Sequence, residues 1–256
     1  MKAVDLLVVG AGPSGSAIAA TMARAGASVV LVEAARHPRP KACAEYASPR
    51  IVEELARIGL DQAAWRDTAV PLRGMEMHAG GRSALIRYAG RNGQRMAWGV
   101  DRRRFDERLS THATESGAEL RDRTRVVGLL HDEGRVTGGR LRDLASGHEE
   151  RVLARWTVGA DGARSTVARL EGVERAVRFP RRLGLVAHYA GVPELADHGE
   201  MHVGARGYVG LAPTPGGELN VGMALPLDRG EGRPSTERFE AAIAAIPAVA
   251  GRLAGA

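Results

Sequence analysis

The stretch Leu6-Leu7-Val8-Val9-Gly10-Ala11-Gly12-Pro13-Ser14-Gly15 constrains this chain more than any other, because an apolar strand signature runs straight into a glycine turn and a helix start. Val4 to Val9 has the length and apolar continuity of a buried strand. The glycines follow the Gly-x-Gly-x-x-Gly spacing: Gly10 permits a tight turn, Gly12 lets backbone approach a pyrophosphate, and Gly15 allows close helix-to-strand packing. Pro13 sits where a first helical turn accepts it, Ser14 comes next, and Ile18 and Met22 recur at helical spacing. Such a helix N-terminus faces phosphate oxygens. Glycine is abundant here and a strand-to-helix turn needs it anyway, so the spacing gains meaning only from the residues on its C-terminal side. Gly26 ends the helix, Ser28 to Val32 makes a second apolar run, and Glu33 closes it eighteen positions after Gly15. A carboxylate there favours two free ribose hydroxyls and repels a 2′-phosphate. The expected first-bound nucleotide is therefore FAD or NAD rather than NADP, held by Gly10, Gly12, Ser14, Gly15, Glu33 and Ala34. A solvated strand-end acid is the plain alternative for Glu33.

Composition narrows the field. A chain of 256 residues with 44% apolar content buries a substantial core, as one large domain or two small ones. An aromatic content of 4% leaves little for a base-stacking platform, which argues against nucleic-acid binding. The net charge of +6 is carried mainly by arginines scattered among acids, as on a solvated exterior, although such a surface also attracts an anionic dinucleotide. The single cysteine, Cys43, forms no internal disulfide, and no Cys/His spacing reads as a zinc site, so a reducing cytoplasm is the simplest home. No run approaches the length of a membrane span, and Asp5 with the glycine turn argues against a signal peptide.

Further along, Pro38 and Pro40 discourage regular structure between Ala34 and Ala47, leaving Lys41, Cys43, Glu45 and Tyr46 on a loop. A helix is expected from Ser48-Pro49 to Gly59. Val70 to His78 and Ala84 to Tyr88 read as a hairpin turning at Gly80-Gly81, and a helix after Asp101 buries Phe105, Leu109 and Ala113. Val126 to Leu130, Val136 to Leu144 and Val152 to Val158 read as a β-meander covering the nucleotide-binding sheet. Gly159 to Arg169 turns into a short helix. Leu183 to Val192, Met201 to Gly204, Tyr208 to Ala212 and Leu219 to Leu225 are strand-like. A last helix, Thr236 to Ile246, is broken by Pro247 before a small-residue tail.

Three separated motifs, namely the nucleotide unit ending at Glu33, Arg102-x-x-Phe105-Asp106 at a helix start, and Gly159-Ala160-Asp161-Gly162-x-x-Ser165, together resemble the FAD-dependent oxidoreductases of the aromatic-hydroxylase and geranylgeranyl-reductase type, the group A flavoprotein monooxygenase-like proteins. The resemblance implies an α/β chain: a Rossmann-like FAD-binding fold with an inserted β-meander and a mainly antiparallel substrate-binding layer. It divides into a discontinuous FAD-binding domain, residues 1–68 and 95–175, and a substrate layer, residues 69–94 and 176–256. It further implies that Arg102 holds the diphosphate or ribityl region, that the backbone of Val126 lies beside adenine, and that Asp161 and Gly162 sit near the diphosphate and the NAD(P)H approach. By residue chemistry alone Arg102 also fits a solvated helix start, and Asp161-Gly162 an ordinary turn. Lys41 to Arg50 is similar to a loop of the reductase branch whose cysteine lies near the flavin, which makes Cys43 the candidate catalytic residue; by itself a lone cysteine also fits an inert apolar role. Tyr46 can donate a proton or simply pack, and His188 and His202 are candidates for substrate contact among eight histidines.

The expected activity is an FAD-dependent oxidoreductase in which NAD(P)H is co-substrate and the reduced flavin hydroxylates or reduces an apolar aromatic, polyketide or isoprenoid substrate. Family members carry a later Gly-Asp segment with a following proline that this chain lacks. The alternative is thus an idle flavin-binding module, or half of a split enzyme completed by a C-terminal portion or partner chain. An NAD-dependent dehydrogenase without flavin is a third reading. No metal, nucleic acid or integral membrane segment is expected.

Overall fold

The run around Leu7 forms a strand because both of its faces are covered. In the computed structural model, which describes residues 2–90, 93–175, 181–204, 207–227 and 234–256, β1 (Lys2–Val9) leads through the glycine turn to α1 (Pro13–Arg24) and β2 (Val29–Val32). There follow β3 (Tyr46–Ala47), α2 (Ile51–Arg57), α3 (Gln62–Trp65), β4 (Ala69–Leu72), β5 (Gly74–Ala79), β6 (Arg82–Gly90), β7 (Gly93–Arg95) and β8 (Ala97–Val100). The next elements are α4 (Arg102–Glu115), β9 (Glu119–Arg121), β10 (Thr124–Asp132), β11 (Arg135–Asp143), β12 (Glu149–Gly159) and α5 (Thr166–Leu170). Last come β13 (Arg182–Tyr189), β14 (Gly199–Gly204), β15 (Gly207–Thr214), β16 (Glu218–Pro226), α6 (Ser235–Ala244) and α7 (Pro247–Leu253).

The chain divides into two compact units: residues 1–40, 55–61 and 103–176, and residues 41–54, 62–102 and 177–256. Relative to the expected division, residues 41–54, 62–68 and 95–102 pack with the second unit.

The first unit is built on one sheet in the order β10-β11-β12-β1-β2-β9, with β12, β1, β2 and β9 parallel. Alternate residues of β1 serve opposite faces. Leu7 and Val9 join Val30, Val32, Val126, Leu141 and Val152 in one cluster, while Leu6 and Val8 join Val29, Leu31, Ala19 and Ala20 in the other. That double burial explains an unbroken apolar run where a half-exposed strand would alternate.

The meander forms as expected, but it does not cover the sheet. β12 hydrogen-bonds alongside β1, from Lys2 opposite Val152 to Val9 opposite Gly159, so β10 to β12 widen the same layer. This arrangement occupies an edge of β1 that would otherwise expose unpaired amides.

The second unit holds a seven-stranded sheet, β13-β16-β15-β14-β5-β6-β7, and a small sheet, β3-β8-β4. The larger one is antiparallel except where β14 runs parallel to β5. Its core combines Val209, Leu211, Leu219, Val221 and Met223 with Phe239 and Ile243 of α6 and Val249 and Leu253 of α7. Two expectations are corrected here. The run Val70 to His78 is two strands in different sheets: Arg73 interrupts it, its N–H bonded to the Asp197 carbonyl at 2.7 Å, and β4 pairs with β8 whereas β5 pairs with β6 and β14. Pro247 does not open an irregular tail. It begins α7, where a missing N–H costs nothing, and Val249 and Leu253 anchor that helix.

Candidate functional site

The glycine turn divides its labour as the spacing implies. A Cβ on Gly15 would stand 1.8 Å from the Gly10 carbonyl oxygen, and one on Gly10, at φ +100°, would stand 2.6 Å from the Ala160 carbonyl oxygen, so both positions are closed to any side chain. A Cβ on Gly12 would meet only Arg39 Nη2, at 3.6 Å. Gly12 is therefore the open place in the turn. It immediately precedes α1, and having no side chain it supplies no cap to the first-turn amides, an arrangement open to an anion. Ser14 is exposed in that first turn.

Glu33 is buried beside this turn. Its Oε2 accepts the Ala11 N–H at 3.0 Å and Arg39 Nη2 at 3.3 Å, and its Oε1 accepts the Ala35 N–H at 3.0 Å, past the exposed Ala34. A carboxylate offers about four acceptor sites, so one on Oε1 is still available to a ribose hydroxyl. Arg39 is the residue that sequence reasoning missed. It lies between Pro38 and Pro40 in a stretch without periodicity, yet its side chain is largely buried, reaching Glu33 on one side and Asp106 of α4, at 3.9 Å, on the other. Its Nε is buried without a hydrogen-bond partner. Asp106 belongs to the Arg102-x-x-Phe105-Asp106 motif, but its approach to Arg39 shows only in the fold. An open glycine, uncapped helix amides and a half-satisfied guanidinium together fit an anionic diphosphate with a ribose attached.

The Asp161-Gly162 turn lies against the same loop, since Ala160 and the Asp161 backbone set the limits on Gly10. Asp161 Oδ2 accepts the N–H groups of Thr166 and Val167 at 2.6 and 3.3 Å, holding the start of α5, while its Oδ1 is buried and unpartnered. Val126 contributes its side chain to the core. The chain entering β10 is tied to Glu33 by the Thr124 N–H to Glu33 carbonyl bond at 2.9 Å.

Arg102 and Cys43 belong to the second unit. The Arg102 N–H donates to Glu45 Oε1 at 3.2 Å, and Glu45 Oε2 lies 2.7 Å from His188 Nε2 on β13. Glu45 adopts φ 53°, a strained value for a non-glycine residue that its two partners hold in place. Burial raises its carboxyl above the ordinary range, partly offset by His188. Asn220, fully buried on β16, donates its amide to the Cys43 carbonyl at 3.0 Å, and Cys43 Sγ accepts the Glu45 N–H at 3.4 Å. Tyr46 donates to the Gly74 carbonyl at 2.9 Å and lies 3.2 Å from the Tyr88 hydroxyl; burial, then Tyr88, raises its pKa well above the usual phenol value. Tyr46 thus packs as a neutral phenol. The loop floors a cavity of about 410 Å³ lined mainly by small and aliphatic residues, among them Leu185, Val186, Met201, Leu211 and Met223, with Cys43, Tyr46, Tyr208 and Glu200 as its polar members.

A family model described as "FAD binding domain" matches residues 3–248. The chain belongs to the FAD binding domain family. Within this flavoprotein family, it is 35% identical over 227 residues to the menaquinone reductase of Mycolicibacterium smegmatis, covering 86% of this chain and 54% of that protein. It is 31% identical over 228 residues to the digeranylgeranylglycerophospholipid reductase of Methanosarcina acetivorans, with the same coverages. The fold matches the myxobacterial chondrochloren halogenase CndH with TM-score 0.88 at 24% identity, over 99% of this chain and 60% of that one. The chain spans about half the length of the curated relatives it matches. Among the described residues, no helix is long and apolar enough to cross a membrane.

Proposed function

We propose that this flavoprotein chain binds FAD through its first unit and serves a reductase that saturates a carbon–carbon double bond in an apolar, isoprenoid-type substrate, with NAD(P)H as reductant. The observation that carries the reading is the aliphatic cavity floored by Cys43, whose lining offers dispersion contacts to a hydrocarbon chain and few groups to hydrogen-bond a polar substrate. The activities for which the menaquinone and digeranylgeranylglycerophospholipid reductases are named support the same substrate class.

When bound, FAD would supply hydride-transfer chemistry between a reduced nicotinamide and the substrate. The chain's own residues bind and orient. Gly12 and the first-turn amides of α1, with Ser14 and Gly15, would receive the diphosphate, and Arg39, oriented by Asp106 and Glu33, would neutralise it. Glu33 and Ala34 would hold the ribose and the backbone of Val126 the adenine edge, with Asp161 and Gly162 as further diphosphate contacts. Asn220 and the Glu45–His188 pair fix the loop that carries Cys43 along the cavity. Cys43 is the candidate catalytic residue in this scheme.

The test is anaerobic. The chain reconstituted with FAD is mixed with NADPH or NADH, and flavin absorbance is followed before and after adding a polyprenyl quinone. Bleaching by nicotinamide and recovery on adding the quinone are expected, and the product, re-oxidised to its quinone form before mass analysis, should still be heavier by two hydrogens, with slower recovery in Cys43→Ser. A product that returns to the starting mass on re-oxidation was reduced only at its head group and would overturn the double-bond assignment. A flavin that bleaches but recovers only with oxygen would overturn the substrate assignment.

A further inference from the structure

The tripeptide Glu-Met-His occurs twice in the second unit, as Glu76-Met77-His78 on β5 and Glu200-Met201-His202 on β14. These strands pair in parallel with Glu76 opposite Glu200, Met77 opposite Met201 and His78 opposite His202. Because strand side chains alternate, this register gathers two carboxylates and two imidazoles on one face and sends both methionines to the other, where Met201 lines the apolar cavity. The imidazoles stack with ring centres 4.2 Å apart and planes 3° from parallel.

We propose that this face binds a divalent transition-metal ion of the zinc class, with His78, His202 and Glu200 as its ligands. One ring nitrogen of His78, one of His202 and one carboxylate oxygen of Glu200 lie within 4.8 Å of one another. Tetrahedral zinc with bonds near 2.0–2.1 Å needs ligand atoms about 3.3 Å apart. His202 Nε2 is 3.2 Å and His78 Nε2 4.0 Å from Glu200 Oε2; because parallel stacked rings cannot both aim an in-plane lone pair at one ion, the half-exposed His78 ring rotates out of the stack to bind.

Three further features favour a cation. His78 Nε2 is buried and without a hydrogen-bond partner, facing carboxylates at 3.6 and 4.0 Å, and a buried nitrogen of this kind needs something to bind. One outer contact of a metal site is in place: Arg252 of α7 holds Glu200 Oε1, leaving Oε2 as a single-oxygen ligand. Finally, a cavity of about 520 Å³ reaches His78, Glu200 and His202, giving the ion an entry and a water for its fourth position. Imidazole with carboxylate suits zinc, copper, iron or nickel better than calcium or magnesium. The ion would clamp the one parallel junction of this sheet among the described strands, where two segments more than a hundred residues apart in sequence meet.

The experiment uses the 256-residue chain without a histidine tag, stripped by chelator and titrated with Zn²⁺ against a chromophoric competitor, with Co²⁺ as a spectroscopic substitute. One zinc per chain is expected, with a rise in melting temperature and a tetrahedral Co²⁺ absorption band. His78→Ala and His202→Ala should each weaken zinc binding at least tenfold, and His148→Ala, an exposed residue of the first unit, should leave it unchanged. Should buried His202→Ala not fold, half-exposed His78→Ala and the Co²⁺ spectrum decide. Failure of the unaltered chain to retain zinc, or undiminished binding by His78→Ala, overturns the site. Neither readout involves flavin, so this result stands apart from the proposed activity.

Discussion

The cradle of the first unit and the cavity of the second are assembled by different means. The cradle is a backbone device: its shape follows from which positions lack a Cβ, and Gly10, Gly12 and Gly15 fall within six consecutive residues. The cavity is a side-chain device. Its floor is held by Asn220, 177 residues from Cys43, and by His188, 143 residues from Glu45. Substitutions should therefore act sharply and locally in the first unit, and by degrees in the second.

The largest effect is expected from Gly15→Val, which drives a side chain into the Gly10 carbonyl oxygen with no flexible neighbour to yield. A loss of about 3 kcal/mol in urea unfolding, the upper end for overpacking, is expected together with loss of FAD binding. Glu33→Ala comes next. It strands the Ala11 and Ala35 N–H groups and Arg39, so a stability loss of about 1.5–3 kcal/mol is expected even without cofactor, along with weaker FAD binding. Unchanged stability with weaker FAD binding would reduce Glu33 to a ligand contact alone.

In the second unit, Asn220→Ala leaves the Cys43 carbonyl without its donor, at an expected cost of about 1–2 kcal/mol. A loss as large as that of Gly15→Val would erase the contrast between the units. The smallest effect is a pH dependence. Burial raises the folded-state pKa of Glu45 above its ordinary 4.5. Folding thus favours the protonated form: its contribution is complete below 4.5 and is lost as pH rises through the higher folded value. Plotted from low to high pH across that window, the melting temperature of the unaltered chain should fall relative to Glu45→Gln; the opposite slope would mean that His188 outweighs burial.

Much of the first unit was legible because its information is local. The strand, glycine turn, helix and terminal acid occupy Val4 to Glu33, and the apolar periodicity placed α4, α5 and the meander strands close to where they stand. What escaped was pairing between distant segments. That β12 runs beside β1 follows from an edge needing a partner, which no short window displays. Val70 to His78 reads as one strand until Asp197 takes the Arg73 N–H, and Pro247 reads as a stop until Val249 and Leu253 find the α6 core. Arg39 was hidden because a proline-flanked loop has no periodicity, so only Asp106 and Glu33, packed on it in space, mark it. The paired Glu-Met-His tripeptides were visible as words, but their meaning depended on a register set by the sheet.

The central claim is that the open place at Gly12 receives the FAD diphosphate. Titration of FAD into the chain and into Gly12→Ala, followed by flavin fluorescence with circular dichroism as the check on folding, tests it most directly. One FAD per chain is expected for the unaltered protein, and at least tenfold weaker binding for a Gly12→Ala variant of unchanged fold, because the nearest atom to the new Cβ is a movable guanidinium at 3.6 Å. Equal FAD affinity in a folded Gly12→Ala would contradict the account.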